Sequence, residues 1–191
     1  MIYTSALAAI VSVLAEDAIG GTSVQAWQKL CPSGGEQPGS LALLIGSRGG
    51  DLPRGYVDAM VGRRLHRELK PFQWNALVAR FCTKKEHKEA AIRALYPVIA
   101  SHAPAYFLKC AVITWAVPPL RGVAGKRSSD MLVLPKEMYC MSFWGNGGET
   151  ERTRQRWRKD IHDRLDGIVR DAILAAEEIL KGEGLLFDQA A

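Results

Sequence analysis

Residues 150–184, TERTRQRWRKDIHDRLDGIVRDAILAAEEILKGEG, decide how the chain is read. Apolar positions recur there at helical spacing: Trp157, Ile161, Leu165, Ile168, Ala172, Ala175, Ala176 and Ile179. Thr150 supplies an N-cap side chain, and Gly182 and Gly184 stop the run. One long helix is the expectation. At ~100° per residue the apolar side chains gather on one side and Arg152, Arg156, Lys159 and Arg170 on the other, while Arg154 and Arg158 lie nearer the apolar side. An arginine at every second position from Arg152 to Arg158 thus becomes two groups in space.

Immediately upstream, LPKEMYCMSFW (134–144) suits a short helix with Pro135 in its first turn, where a missing N–H costs little. Gly145-Asn146-Gly147-Gly148 then enforces a turn. Short helix, glycine turn and basic helix form the pattern of a helix-turn-helix, whose second helix enters the major groove. Arginine suits that role because its planar fork meets guanine O6 and N7 together, or holds phosphate. Glu149 and Glu151 favour a helix N-terminus but repel phosphates. The plainer alternative is a solvated face held by local pairs such as Glu151 with Arg154 or Asp160 with Arg164.

Before this pair lies LRGVAGKRSSD (120–130), a glycine-rich loop with Arg121, Lys126 and Arg127. It is not a phosphate loop: Gly122 and Gly125 are too close together, and Arg127 stands where Ser or Thr is required. As a basic segment it adds to the positive footprint that nucleic-acid binding needs. The candidate DNA contacts are therefore Arg152, Arg154, Arg156, Arg158 and Lys159, with Arg121, Lys126 and Arg127.

Further towards the N-terminus the periodicity stays helical. Ser5 can cap a helix carrying Leu7, Ile10, Val11 and Leu14. A short helix is expected over 24–30, a loop over 31–40 and another over 47–55, while LALLI (41–45) suits a buried strand or a helical turn. Val57, Met60, Val61, Leu65 and Leu69 form a stripe ending before Pro71; residues 72–82 read as another helix. Thr83 to Glu86 has capping-box spacing before an alanine-rich helix reaching Ser101, kinked at Pro97, and residues 104–117 have the low charge of a central helix. The chain reads as mainly α, with a multi-helix globular body (1–119) and a basic loop plus helix-turn-helix-like pair with a long terminal helix (120–191).

Composition narrows the function. A 48% hydrophobic content supports a real core, and 25 Lys plus Arg against 20 Asp plus Glu give a charge of +5, which favours anionic partners. Cys31, Cys82, Cys110 and Cys140 form no paired knuckle, so no metal and no cofactor are expected, and free thiols suit a reducing cytosol. The apolar run at 6–15 is too short to cross a bilayer; no Lys or Arg precedes it and Glu16 and Asp17 end it, unlike a secretory signal.

The tryptophans Trp27, Trp74, Trp115, Trp144 and Trp157 read as packing anchors, with base stacking an option for Trp144 beside the turn. Asp51, Asp58 and Asp130 are the carboxylates a metal-dependent nuclease would use, although no spacing signature joins them and binding rather than catalysis is expected. Pairing of the long helix with another chain through Trp157, Ile161 and Leu165 is a third reading.

The MIY start, Trp27 followed by GGEQPG (34–39), the GKRSS loop (125–129) and the closing WRKDIHDRLDGIVRDAILAAEEIL (157–180) resemble small phage proteins of the late-regulator position, the Q-like antitermination proteins. The likeness covers the first forty residues and the last seventy. It implies a regulator in the host cytoplasm that binds double-stranded DNA near a late promoter and loads onto paused RNA polymerase, so that terminators are read through by steric work rather than catalysis. Arg152, Arg156 and Lys159 would then contact DNA, with Lys126 and Arg127 on phosphates. The zinc-binding cysteines of some such regulators have no counterpart here. Other phage DNA-binding proteins, of packaging or repressor type, would use the same segment.

Overall fold

A computed structural model of the chain describes residues 2–14, 41, 43, 45, 54–119, 134–145 and 148–186. The protein is mainly helical. Helices α1 (Ala6–Leu14), α2 (Arg54–Glu68), α3 (Pro71–Phe81), α4 (Lys85–Leu95) and α5 (Ala105–Ala116) lead to two short 3-10 turns, Lys136–Tyr139 and Met141–Phe143, and then to α6 (Glu151–Gly182). Leu41, Leu43 and Ile45 are helical, which resolves the strand-or-helix ambiguity there. The chain divides into two compact units, Met1–Trp74 with Asp171–Ala191, and Asn75–Arg170. Residues 171–182 of α6 group with the N-terminal helices, an association of distant segments that local composition does not encode.

In the first unit, Ser5 Oγ accepts the Ala8 N–H at 3.1 Å and caps α1. Helix α1 packs on α2, and Gly62 permits the approach: a Cβ there would stand 2.7 Å from Val13 Cγ1. The α2 stripe buries Val57, Val61, Leu65 and Leu69, with Met60 half-buried. On α1, Ile10, Val13 and Leu14 are buried but Leu7 and Val11 are exposed, because in nine residues the contact with α2 takes only one narrow stripe.

The same unit encloses polar groups, each with partners. Asp58 accepts from Tyr3 Oη and, at 2.7 Å, from Ser12 Oγ, and it pairs with Arg54 at 3.2 Å. Burial, reinforced by the bond to Asp58, pushes the Tyr3 phenol far above its usual range, so it stays a donor. Glu183 bridges Arg64 at 3.0 Å and the Leu41 N–H at 3.1 Å. Helix α6 ends as glycine spacing predicts: Gly184 takes φ 67°, its N–H donates to Lys181 O, and the Leu185 N–H donates to Leu180 O. Leu185 O then accepts from the N–H groups of Ile2 and Tyr3, tying the chain's two ends together.

Helix α3, whose residues from Asn75 onward belong to the second unit, opens at Pro71 as the ring's fixed φ allows. The capping box at 83–86 does not form: α4 starts after Lys84, which makes no side-chain cap, and within the described residues Thr83 Oγ1 is buried without a partner. Lys88 is the competing demand. It is buried, and its Nζ donates to Ala79 O at 2.6 Å, Arg80 O at 3.3 Å and Ala116 O at 3.1 Å. One ammonium thereby satisfies open carbonyls at the C-terminal ends of both α3 and α5. Helix α4 stops at Leu95 rather than running kinked to Ser101, since Pro97 brings no N–H to continue it. Helix α5 matches its expected span within a residue at either end and buries Phe107, Cys110, Ala111, Val112, Trp115 and Ala116.

Candidate nucleic-acid interface

Helix α6 is 32 residues long, about 48 Å at 1.5 Å per residue. Thr150 Oγ1 accepts the Thr153 N–H at 3.2 Å, the N-cap bond expected from its position. Within the second unit the helix is anchored by Ile161 and Leu165, neither of which reaches solvent. Around them, Asp166 accepts the Trp115 Nε1–H at 2.7 Å, and His162 Nε2 lies 3.2 Å from Ala111 O. Burial, and after it the Arg158 charge, holds the His162 imidazole below its usual range, so the neutral ring donates to that carbonyl.

The segment before α6 differs from the expected short α-helix. Two 3-10 turns replace it, and the pair is therefore not a helix-turn-helix of regular geometry. Its packing explains why. Trp144 is only 1% exposed, its Nε1–H donates to Met138 O at 2.8 Å, and Tyr139 Oη donates to Val117 O at 2.8 Å. Holding both rings inward within six residues requires the tighter 3-10 winding rather than the 3.6-residue period. Buried in this way, Trp144 is closed to base stacking. Its ring instead meets Phe107 edge-on at 5.2 Å, and Phe107 meets Trp157 at 5.5 Å.

The basic residues separate into two groups. Arg152, Arg156 and Lys159 are exposed, and among the described residues none of the three is in an ion pair. Arg154 and Arg158 are half-buried and occupied. Arg154 Nη2 donates to Glu149 O at 2.9 Å, and the Arg158 guanidinium lies over the Trp144 ring, 5.8 Å from its centroid. The local pairs Glu151 with Arg154 and Asp160 with Arg164 are not formed; Glu151 instead accepts from Gln155 Nε2 at 3.2 Å. At 3.6 residues per turn, Arg158, Gln155, Lys159, Arg152 and Arg156 follow one another around the helix in steps of about 20 to 60°. A polar and cationic band thus runs from the edge of Trp144 to the open face, and Asp160 and Asp163 bound it on the C-terminal side.

The first members of the band stand at the energetically wrong end. A helix N-terminus carries partial positive charge that acts over the first turn, where cations such as Arg152 and Arg154 cost roughly 0.3–1 kcal/mol apiece. Residues 151–159 nevertheless hold five cations against the single acid Glu151, and the acids Asp160, Asp163, Asp166 and Asp171 come later. Stability of the isolated helix favours the reverse order.

Other expected contacts fall elsewhere. Arg121, Lys126 and Arg127 lie outside the described residues, as do Trp27, Cys31, Asp51 and Asp130 and the segments read as a helix over 24–30 and a loop over 31–40. Asp58 is buried and engaged by Tyr3, Ser12 and Arg54. No cluster of metal-binding side chains occurs among the described residues, and no helix there is long and apolar enough to cross a membrane. Cys82 Sγ turns to Lys84 O at 3.9 Å. Sequence reasoning missed the Arg158–Trp144 contact and the burial of Lys88. Its position among Ala91, Ile92 and Leu95 on the buried face of α4 was the available signal.

No protein-family model, curated protein or solved structure matches the chain.

Proposed function

We propose that this protein binds double-stranded DNA through the first turns of α6 and acts as a phage transcription antitermination factor. The single observation that carries DNA binding is the placement of Arg152, Arg156 and Lys159: exposed, without ion pairs among the described residues, and gathered on one face of the first three turns of α6. A polyanion supplies the counter-charge these three side chains lack, and it relieves the first-turn cost of Arg152. Arg158 adds a guanidinium at the band's edge, and Arg154, bonded to Glu149 O, stiffens the entry to the helix rather than reaching outward. Arg121, Lys126 and Arg127 supply further phosphate contacts from the basic loop.

The regulatory half of the proposal rests on the resemblance to Q-like antitermination proteins. It adds RNA polymerase as the second partner and the bacterial host cytoplasm as the place of action, with no catalytic step and no cofactor. Two measurements test the reading. DNA affinity of the wild type and of Arg152→Ala and Arg156→Ala across a salt series is expected to fall by ~1 to 3 kcal/mol for a base contact, or to lose about one unit of salt slope for a phosphate contact. Transcription through a terminator, together with polymerase capture, is expected to show readthrough that the same variants lose. Unaltered duplex affinity in both variants overturns the DNA-binding half, and specific DNA binding without polymerase association overturns antitermination.

A further inference from the structure

Phe143 ends the second 3-10 turn with its ring 63% exposed, directly beside a tryptophan that is 1% exposed. Its direction is imposed. The Phe143 N–H donates to Cys140 O and the Trp144 N–H to Met141 O, while the Trp144 indole is held by Met138 O, Phe107 and Arg158. With Trp144 driven inward, the neighbouring position on this tight turn faces water, and the ring is presented on a backbone that is already ordered. Isolated exposed apolar side chains are ordinary. What distinguishes this one is its company: Trp144 lies under Arg158, the first member of the band that continues through Gln155, Lys159, Arg152 and Arg156. The Arg158–Trp144 contact holds this turn against α6.

An exposed aromatic residue next to the tryptophan that Arg158 covers, in the segment that leads into the exposed cations of α6, is a combination suited to unpaired nucleotides: the cations track the phosphates and the ring stacks on a base. We infer that Phe143 stacks on an unpaired or unstacked base, so that the preferred ligand is nucleic acid with a melted or bulged position rather than an uninterrupted duplex. The inference rests on the nucleic-acid reading of the same helix and names what that helix would select. Phenylalanine carries no hydrogen-bonding group, so the contact is tolerant of base identity, and sequence discrimination falls to the arginines.

The test uses the full-length protein with two DNA probes of equal length, one fully paired and one carrying a single unpaired 2-aminopurine. Wild type is expected to bind the second more tightly and to quench its fluorescence. Phe143→Ala is expected to lose about 5- to 150-fold in affinity for that probe and to lose the quench, with the paired duplex unchanged. Phe143→Trp is expected to restore both, and Arg156→Ala to weaken both probes alike. Because the ring is mostly in water, helical content of Phe143→Ala serves as the folding control. Equal binding of the unpaired probe by wild type and Phe143→Ala overturns the inference while leaving the cationic face intact. Failure of wild type to bind either probe overturns the nucleic-acid reading itself, and the inference with it.

Discussion

The guanidinium of Arg158 rests over the face of Trp144, 5.8 Å from the ring centroid, and joins the first long turn of α6 to the 3-10 segment before it. Such a contact contributes roughly 0.5–2 kcal/mol depending on desolvation, and Arg158 is half-buried. Arg158→Ala is therefore expected to lower unfolding free energy by about 1 kcal/mol and to loosen Trp144. Denaturant unfolding followed by tryptophan emission checks it, and a red shift in the native spectrum reports the exposed ring.

Lys88 carries a larger share. Replacing it with Met removes the donor from Ala79 O, Arg80 O and Ala116 O at once and leaves helix-end carbonyls buried. Hydrogen bonds to charged groups contribute roughly 1.5–3 kcal/mol each, and unsatisfied buried groups add a desolvation cost, so a loss of about 3 kcal/mol or more is expected. Thermal denaturation measures it. A Lys88→Met protein as stable as wild type refutes the capping role.

Gly62 is required for close approach of helices rather than for a turn. A Cβ there would lie 2.7 Å from Val13 Cγ1, and valine has little rotamer freedom with which to retreat. Gly62→Ala gains up to ~1 kcal/mol of helix propensity but forces overpacking worth ~1 to 3 kcal/mol, so net destabilisation is expected. The paired variant Gly62→Ala with Val13→Ala recovers part of the loss. Additive effects in the two single variants and the pair would show that the two positions do not meet.

Acid sensitivity follows from His162. Burial, and then the Arg158 charge, holds its folded-state pKa below the ordinary imidazole value, so the unfolded chain binds the proton more readily. The corresponding stability is complete above pH 6.5 and declines as pH falls from there toward the folded-state pKa. His162→Gln, which keeps a donor for Ala111 O, is expected to flatten that part of the curve. Unfolding free energies between about pH 7.5 and 5 compare the two proteins.

Thiol chemistry separates the described cysteines. Hydrogen bonds from Ser142 hold the exposed Cys140 thiol below its usual pKa, whereas burial pushes Cys82 and Cys110 up. Brief treatment with iodoacetamide near neutral pH is expected to modify Cys140 well before the other two, as peptide mass mapping would show.

The arrangement of the candidate site was legible only in part. Exposure of Arg152, Arg156 and Lys159 follows from their angular distance to Ile161 and Leu165, which a sequence displays. The engagement of Arg154 and Arg158 does not, because Glu149 O and the Trp144 ring are brought to them by the path of the preceding turn. Periodicity also favoured an α-helix over 134–144, yet the inward pull on Trp144 and Tyr139 selected 3-10 winding. Leu7 and Val11 were counted with the packing stripe, but only the contact with α2 defines which positions of α1 are covered.

By itself the sequence determined the helical character and some of the helix ends, those that depend on neighbours three to five residues away: Ser5 with Ala8, Thr150 with Thr153, Gly184 with Lys181 and Leu185 with Leu180. Tertiary structure alone decided which polar groups go inside and how the chain divides. Lys88 is drawn in by carbonyls 9 and 28 residues distant, and Asp58 by hydroxyls 55 and 46 residues away. A charged group enters a core only where the assembled fold supplies its partners, and no local pattern of side chains encodes where those partners will be.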